Sequence, residues 1–135
     1  MTSNTLYILR GVPGSGKTTL ANLMTIGFNS VDIHAVAYAA DDYFTDENGN
    51  YRFDKKRLGE AHDWCQDRVL ADMRARIPVI IVHNTFVQIW EMKPYMDMAD
   101  ESGYIVNEIV CKGRWMNQHG VPDEVIISMQ NRWED

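Results

Sequence analysis

Chemistry is most legible in this chain where a lysine and a threonine close a glycine-rich stretch. Residues 11–18 read Gly-Val-Pro-Gly-Ser-Gly-Lys-Thr, and every fixed position of the pattern GxxxxGK[ST] is met. Glycines let a backbone curl until successive N–H groups converge, and converged N–H groups at a helix start attract anions. Pro13, Gly14, Ser15 and Gly16 would line that cradle, with Thr19 just behind it. Lys17 would reach the outer phosphates and the Thr18 hydroxyl would bind Mg²⁺. A nucleoside triphosphate, taken here as ATP, is the ligand such a loop holds.

Holding a triphosphate is not yet using it. Phosphoryl transfer further needs a base for an acceptor hydroxyl and a positive charge beside the γ-phosphate. Asp41 and Asp42 follow a small apolar run and are candidates for the base. Neighbours on a strand point to opposite faces, so one of the two can face a ligand crevice. Lys112 and Arg114 are candidates for the charge. His83 stands at the end of another apolar run, where a hydrogen-bonded structural role is the commoner one. Lys55, Lys56 and Arg57 make a basic run, ordinarily a solvated face but able to meet a nucleic-acid backbone. Among the tryptophans, whose rings can stack a base, Trp133 reads as core and Trp115 as part of a lid.

These groups need elements to hold them. Residues 2–10 contain a short apolar run, Leu6 to Leu9, that reads as a buried strand, and residues 18–28 carry Leu20, Leu23, Met24 and Phe28 at helical spacing. Strand, glycine loop, helix is the context the motif requires. Residues 34–40 read as a second strand ending at the aspartates. Residues 45–51 read as a polar loop with an Asn-Gly turn, a small hairpin or lid. Asp54 is placed to cap a long helix over 55–76, with Leu58, Ala61, Cys65, Val69 and Met73 on one face. The continuous β-branched run 79–82 marks a strand buried on both sides.

Residues 88–102 read as a third helix, regular from about residue 91, carrying Ile89, Met92, Met96 and Ala99, with Pro94 in the first turn and Gly103 as the stop. Residues 104–111 read as a fourth strand. Pro122 opens a last helix to residue 133, with Val125, Ile126, Met129 and Trp133 as its apolar side. Strands alternating with helices predict an α/β, three-layer P-loop NTPase fold: a parallel sheet of about four or five strands flanked by helices. Residues 1–135 read as one domain.

In this order and combination, several segments resemble the kinase domain of the polynucleotide kinase family, which phosphorylates 5′-hydroxyl ends of DNA and RNA. Small predicted ATPases of that group, found in phages, bacteria and animals, are especially similar. The segments are LRGVPGSGKTTLA at 9–21, ADDYF at 40–44, NGNYRFD at 48–54, EAHDWCQ at 60–66, Asn84 with Thr85, WEMKPYM at 90–96 and HGVP at 119–122. The resemblance implies that Lys17 and Thr18 bind ATP and Mg²⁺, that Asp41 is the general base, and that a lid arginine contacts the transferring phosphate. The pattern departs at three places. Phe44 stands where phage members can carry a substrate-binding arginine. His83 and Phe86 replace the outer Asp and Asn of the family's strand end. The lid, residues 113–120, is abbreviated and Arg114 is its single arginine.

Composition bounds the partners. The net charge of −6 argues against coating nucleic acid through bulk charge, while leaving room for a local basic groove. No apolar run approaches the ~20 residues that span a membrane, and no secretion signal is visible. Cys65 and Cys111 have no metal-ligand spacing and read as buried thiols in a reducing, cytoplasmic setting. No obligate protein partner is evident. The expected activity is a kinase that phosphorylates a nucleic-acid 5′ end. The alternatives are a kinase of a nucleoside, modified base or other small molecule, and a nucleotide-binding protein with little catalysis.

Overall fold

The computed structural model describes residues 3–113 and 121–135. The chain alternates β1 (Thr5–Arg10), α1 (Lys17–Ser30), β2 (Ala35–Tyr38), α2 (Leu58–Arg74), β3 (Val79–Asn84), α3 (Lys93–Ser102), β4 (Ile105–Val110) and α4 (Asp123–Asn131). Short 3-10 turns at Ala40–Phe44, Lys55–Arg57 and Ile89–Met92 fill the connections. The four strands are parallel in the order β2-β3-β1-β4. This is the α/β layered sheet expected from the alternation, and β1 sits inside it. Thr5 lies opposite Val79 on one side and Ile105 on the other, and Arg10 lies opposite Asn84 and Val110. The loop that follows β1 therefore emerges between the ends of β3 and β4.

Alternation along β1 divides the core. Leu6 and Ile8 face α2 and α3 with Ile80 and Val82. Leu9 faces α1 with Ile81 and Ala21. Every residue of β3 is buried, as the unbroken β-branched run requires of a strand covered on both faces. Along α2, Ala61, Cys65, Val69 and Met73 are buried at the expected spacing. Pro94 sits in the first turn of α3, and Gly103 ends that helix with φ 73°, a left-handed cap that glycine adopts at least cost.

Several expectations are corrected. Leu23 is 62% exposed; the face that α1 buries runs through Leu20, Ala21, Met24 and Phe28, and Leu23 lies roughly a third of a turn away from it. The second strand stops at Tyr38, and both aspartates belong to a 3-10 turn. The long helix starts at Leu58 because Asp54 accepts from the Lys56 amide and caps a 3-10 turn first. Leu58 and Ile89 are consequently exposed. No residue of α4 is buried, Val125 is exposed, and Trp133 lies beyond its end, half-buried. Of the lid, residues 114–120 lie outside the described residues, so Arg114, Trp115 and His119 are not placed.

Candidate active site

The glycine loop is built by close approach. A Cβ on Gly11 would stand 2.2 Å from Ser15 Oγ and 2.8 Å from the carbonyl oxygen of Cys111, so no other residue fits there without moving β4. Gly14 and Gly16 take φ of 83° and 98°, a left-handed path that side chains resist. The Ser15 amide donates to Val12 O at 3.1 Å and closes the turn; the Gly11 amide donates to Thr85 O at 3.1 Å and ties the loop to the end of β3. On the other flank the Gly113 amide donates to Ser15 O at 3.0 Å.

Gly16 is the N-cap of α1, and no side chain caps that end. The first helical N–H groups have no intrahelical acceptor, and the glycine loop runs directly into them. Buried Ser15 Oγ has no hydrogen-bond partner among the described residues. An uncapped helix start beneath a curled glycine backbone suits a phosphate chain.

Lys17 folds over this cradle. Its ammonium donates to Gly11 O at 2.6 Å and to Val12 O at 3.2 Å. Burial lowers its pKa to about 8, against the opposing pull of Cys111 and Asp41. Asp41 thus lies within electrostatic reach of the lysine. The Thr18 side chain is exposed, so its hydroxyl is available to a cation. Among the described residues no cluster of three or more His, Cys, Asp or Glu side chains is set to hold a metal.

Asp41 is positioned by groups distant in sequence. At the end of β2 the chain turns into 3-10 geometry because Asp42 Oδ2 accepts from the Ala39 amide at 3.0 Å and Asn84 Oδ1 accepts from the Ala40 amide at 2.8 Å. One carboxylate is thus turned back onto its own backbone, as expected, but through a turn rather than through strand alternation. The Tyr51 hydroxyl donates to Asp41 Oδ1 at 3.2 Å, and burial followed by the Asp41 charge pushes its pKa up to about 12. The polar loop that delivers Tyr51 is a closed excursion. Thr45 and Tyr51 form an antiparallel bridge, Asp46 Oδ1 accepts from the Asn48 and Asn50 amides at 2.9 Å each, and Gly49 takes φ 83°.

His83 ends β3 beside Asn84 and is 8% exposed. Burial, then the Lys17 charge, lowers its pKa to about 4, so the ring is neutral at pH 7. Phe86 follows with φ 46°, strained for an aromatic residue. Lys112 is exposed at the end of β4. The basic run lies on the Asp41 side: Arg57 pairs with Glu60 at 3.0 Å and donates to the Tyr43 hydroxyl at 2.8 Å. Lys55 and Lys56 are exposed, as is Phe53, which packs on Phe44. Two residues that sequence reasoning gave no role emerge here, Asn84 and Arg10. The available signal for Arg10 was a charge inside an apolar strand, which must be paired if buried.

Residues 6–119 match the family described as AAA domain. The chain belongs to that family. Human NEDD4-binding protein 2 is 38% identical over 138 residues, an alignment covering 96% of this chain and 8% of that protein. Among solved structures, the APS kinase of Mycobacterium tuberculosis in complex with AMPPNP and APS is 17% identical with a TM-score of 0.61, covering 82% of this chain and 64% of that one. A chain of the Pnkp1/Rnl/Hen1 complex is 21% identical with a TM-score of 0.63, covering 95% of this chain and 39% of that one. These two likenesses are of fold, and the fold of this AAA domain is the P-loop kinase fold. Among the described residues no helix is long and apolar enough to cross a membrane.

Proposed function

We propose that the chain is an ATP-dependent phosphotransferase that moves the γ-phosphate to a hydroxyl, with a polynucleotide 5′ end as the acceptor. The observation that carries this reading is that the anion cradle after β1 and Asp41 after β2 stand at the same end of one parallel sheet, with the Asp41 charge acting on the Lys17 ammonium. A triphosphate needs the cradle, and an attacking hydroxyl needs the carboxylate.

Each residue then has a task. The amides of residues 13–19 and the Lys17 ammonium hold the phosphate chain. The Thr18 hydroxyl offers a ligand to Mg²⁺, which when bound neutralises charge on the β- and γ-phosphate oxygens. Asp41 accepts the proton of the acceptor hydroxyl, and Tyr51 fixes the orientation of its carboxylate. Arg114 is the proposed lid charge. Lys55 and Lys56 with the exposed Phe53 ring, which packs on Phe44 of the turn that carries Asp41, favour a polynucleotide, because cations and an exposed aromatic face suit a single strand. The free thiols of Cys65 and Cys111 fit a reducing compartment, the cytoplasm in this reading.

The test is label transfer from γ-labelled ATP to a 5′-hydroxyl oligonucleotide. Label should appear at the 5′ end. Asp41→Asn should slow transfer by roughly 10²–10⁴-fold while ATP affinity stays within a few-fold. Unchanged transfer in Asp41→Asn refutes the base. Label on nucleosides or small metabolites, and never on oligonucleotides, refutes the acceptor.

A further inference from the structure

Arg10 is the largest side chain among those fully shielded from solvent. It occupies the last position of β1, immediately before the phosphate loop. A buried guanidinium is costly unless its donors are met, and here they are met by oxygens of Phe86, Val87, Glu108 and Glu134. Nε donates to Phe86 O at 3.0 Å and Nη2 to the same oxygen at 2.9 Å. Nη1 pairs with Glu108 Oε1 at 2.8 Å. Nη2 also donates to the carbonyl oxygen of Glu134. The Trp133 ring lies over the guanidinium, 4.4 Å from its carbon to the ring centroid.

Two of these partners, Trp133 and Glu134, belong to the segment after α4. Among the described residues that segment has few other anchors. No residue of α4 itself is buried. Beyond Arg10, Glu134 is held by its amide, which donates to Val87 O at 2.9 Å, and by its carboxylate, which accepts from the Ile89 amide at 3.1 Å. The strap nevertheless forms part of a cavity. A space of about 320 Å³ is lined by Gly11 and Ser15 of the loop, Lys112 after β4, Gln130 of α4 and Trp133 of the segment that follows it. It lies on the β4 side of the loop, whereas Asp41 lies beyond β3 at the end of β2.

We propose that Arg10 is a positioning residue that pins Trp133 as a fixed wall of this cavity, where the nucleoside half of a loop-bound triphosphate meets it. The inference rests on the triphosphate reading given above. With the acceptor carboxylate on the β2 side, a phosphate chain lying along the loop leaves its nucleoside end on the β4 side. An aromatic wall contributes to affinity only if it is already held in place, because a mobile one loses in ordering what stacking gains. Arg10 supplies that order by filling the space behind the ring and bonding the adjoining backbone.

The experiment compares dissociation constants of Mg-ATP and Mg-tripolyphosphate by calorimetry on the full chain. The variants are Arg10→Met, Arg10→Lys, Trp133→Leu and Trp133→Phe, with Tm recorded for each. The wild type should bind ATP more tightly than tripolyphosphate. Trp133→Leu and Arg10→Met should each weaken ATP by ~10-fold and tripolyphosphate by less than about twofold. Trp133→Phe should keep most of the difference, and Arg10→Lys, which keeps charge without the planar fork, should fall between. Equal losses for both ligands, or a lower Tm with the difference intact, overturn the proposal. If tripolyphosphate fails to bind the wild type, the loop reading fails and this inference falls with it. Should Arg10→Met not fold, Arg10→Lys decides the role of Arg10, with Trp133→Leu and Trp133→Phe testing the wall: an ATP-to-tripolyphosphate difference in Arg10→Lys equal to the wild type's overturns the proposal.

Discussion

Asn84 offers the sharpest test of how the acceptor side is built. Its Oδ1 accepts from the Ala40 amide at 2.8 Å, one residue before the carboxylate proposed as base, and the side chain is buried. Asn84→Leu keeps roughly the volume and removes the acceptor. The Ala40 amide is then a buried donor without a partner, which costs about 1–3 kcal/mol. The chain can relieve that cost only by moving the 3-10 turn toward another acceptor, which carries Asp41 with it. A displacement near 1 Å at a reacting group costs on the order of 10²-fold in rate. The phosphate cradle hangs on β1 and the Gly11–Thr85 bond instead. The expected pattern is therefore kcat reduced by ~10–10²-fold, KM for ATP within about twofold, and a Tm lower by several degrees. Label-transfer kinetics with thermal unfolding on the same preparations measures all three. A lower Tm with kcat unchanged would mean that Asn84 supports the fold and not the base, and the reasoning would be wrong. Parallel losses of kcat and ATP affinity would equally break it.

Two further outcomes follow from the geometry. The His83 pKa of about 4 lies below its unfolded value of about 6.5, so the unfolded chain takes up the proton first as pH falls. The stability that His83 contributes is therefore complete above pH ~6.5 and lost as pH drops toward 4, by up to about 3 kcal/mol. Urea unfolding at pH 7 and pH 5 should show a steeper loss in the wild type than in His83→Gln, and identical slopes would refute it. Gly11→Ala places a methyl 2.8 Å from the Cys111 carbonyl oxygen, so tripolyphosphate binding should fall at least ~10-fold with a lower Tm; unaltered binding would mean the loop yields more easily than its packing implies.

The layered sheet was legible because it rests on local patterns. The run at residues 79–82 could only be a doubly covered strand, and Pro94 and Gly103 mark the limits of α3. The phosphate loop was legible because its chemistry demands a fixed spacing of glycines. The acceptor side was less so. Asp41 and Asp42 looked like the end of a strand, and what turns them into a 3-10 segment is Asn84, 44 positions away. Propensity cannot register a hydrogen bond of that span. Arg10 is a stronger case, since its partners lie 76 to 124 positions along the chain. Trp133 was assigned to the core from the face of its helix, yet the ring packs on a guanidinium. Leu23 shows the opposite error: helical spacing gives a periodicity, but not which apolar residue of a crowded set faces inward.

The central place of β1 also sets when the loop comes into being. The first strand in the chain is flanked by β3 and β4, so its hydrogen-bonding edges are completed only by residues 79–84 and 105–110. Those pairings are non-local, and closing them is slow relative to helix formation. During synthesis the loop emerges before either strand that flanks β1, so the sheet that frames the cradle is complete only when residues 79–84 and 105–110 have paired with it. On the triphosphate reading, a ligand that binds the folded chain alone would at 100 times its Kd deepen the native well by about 2.7 kcal/mol.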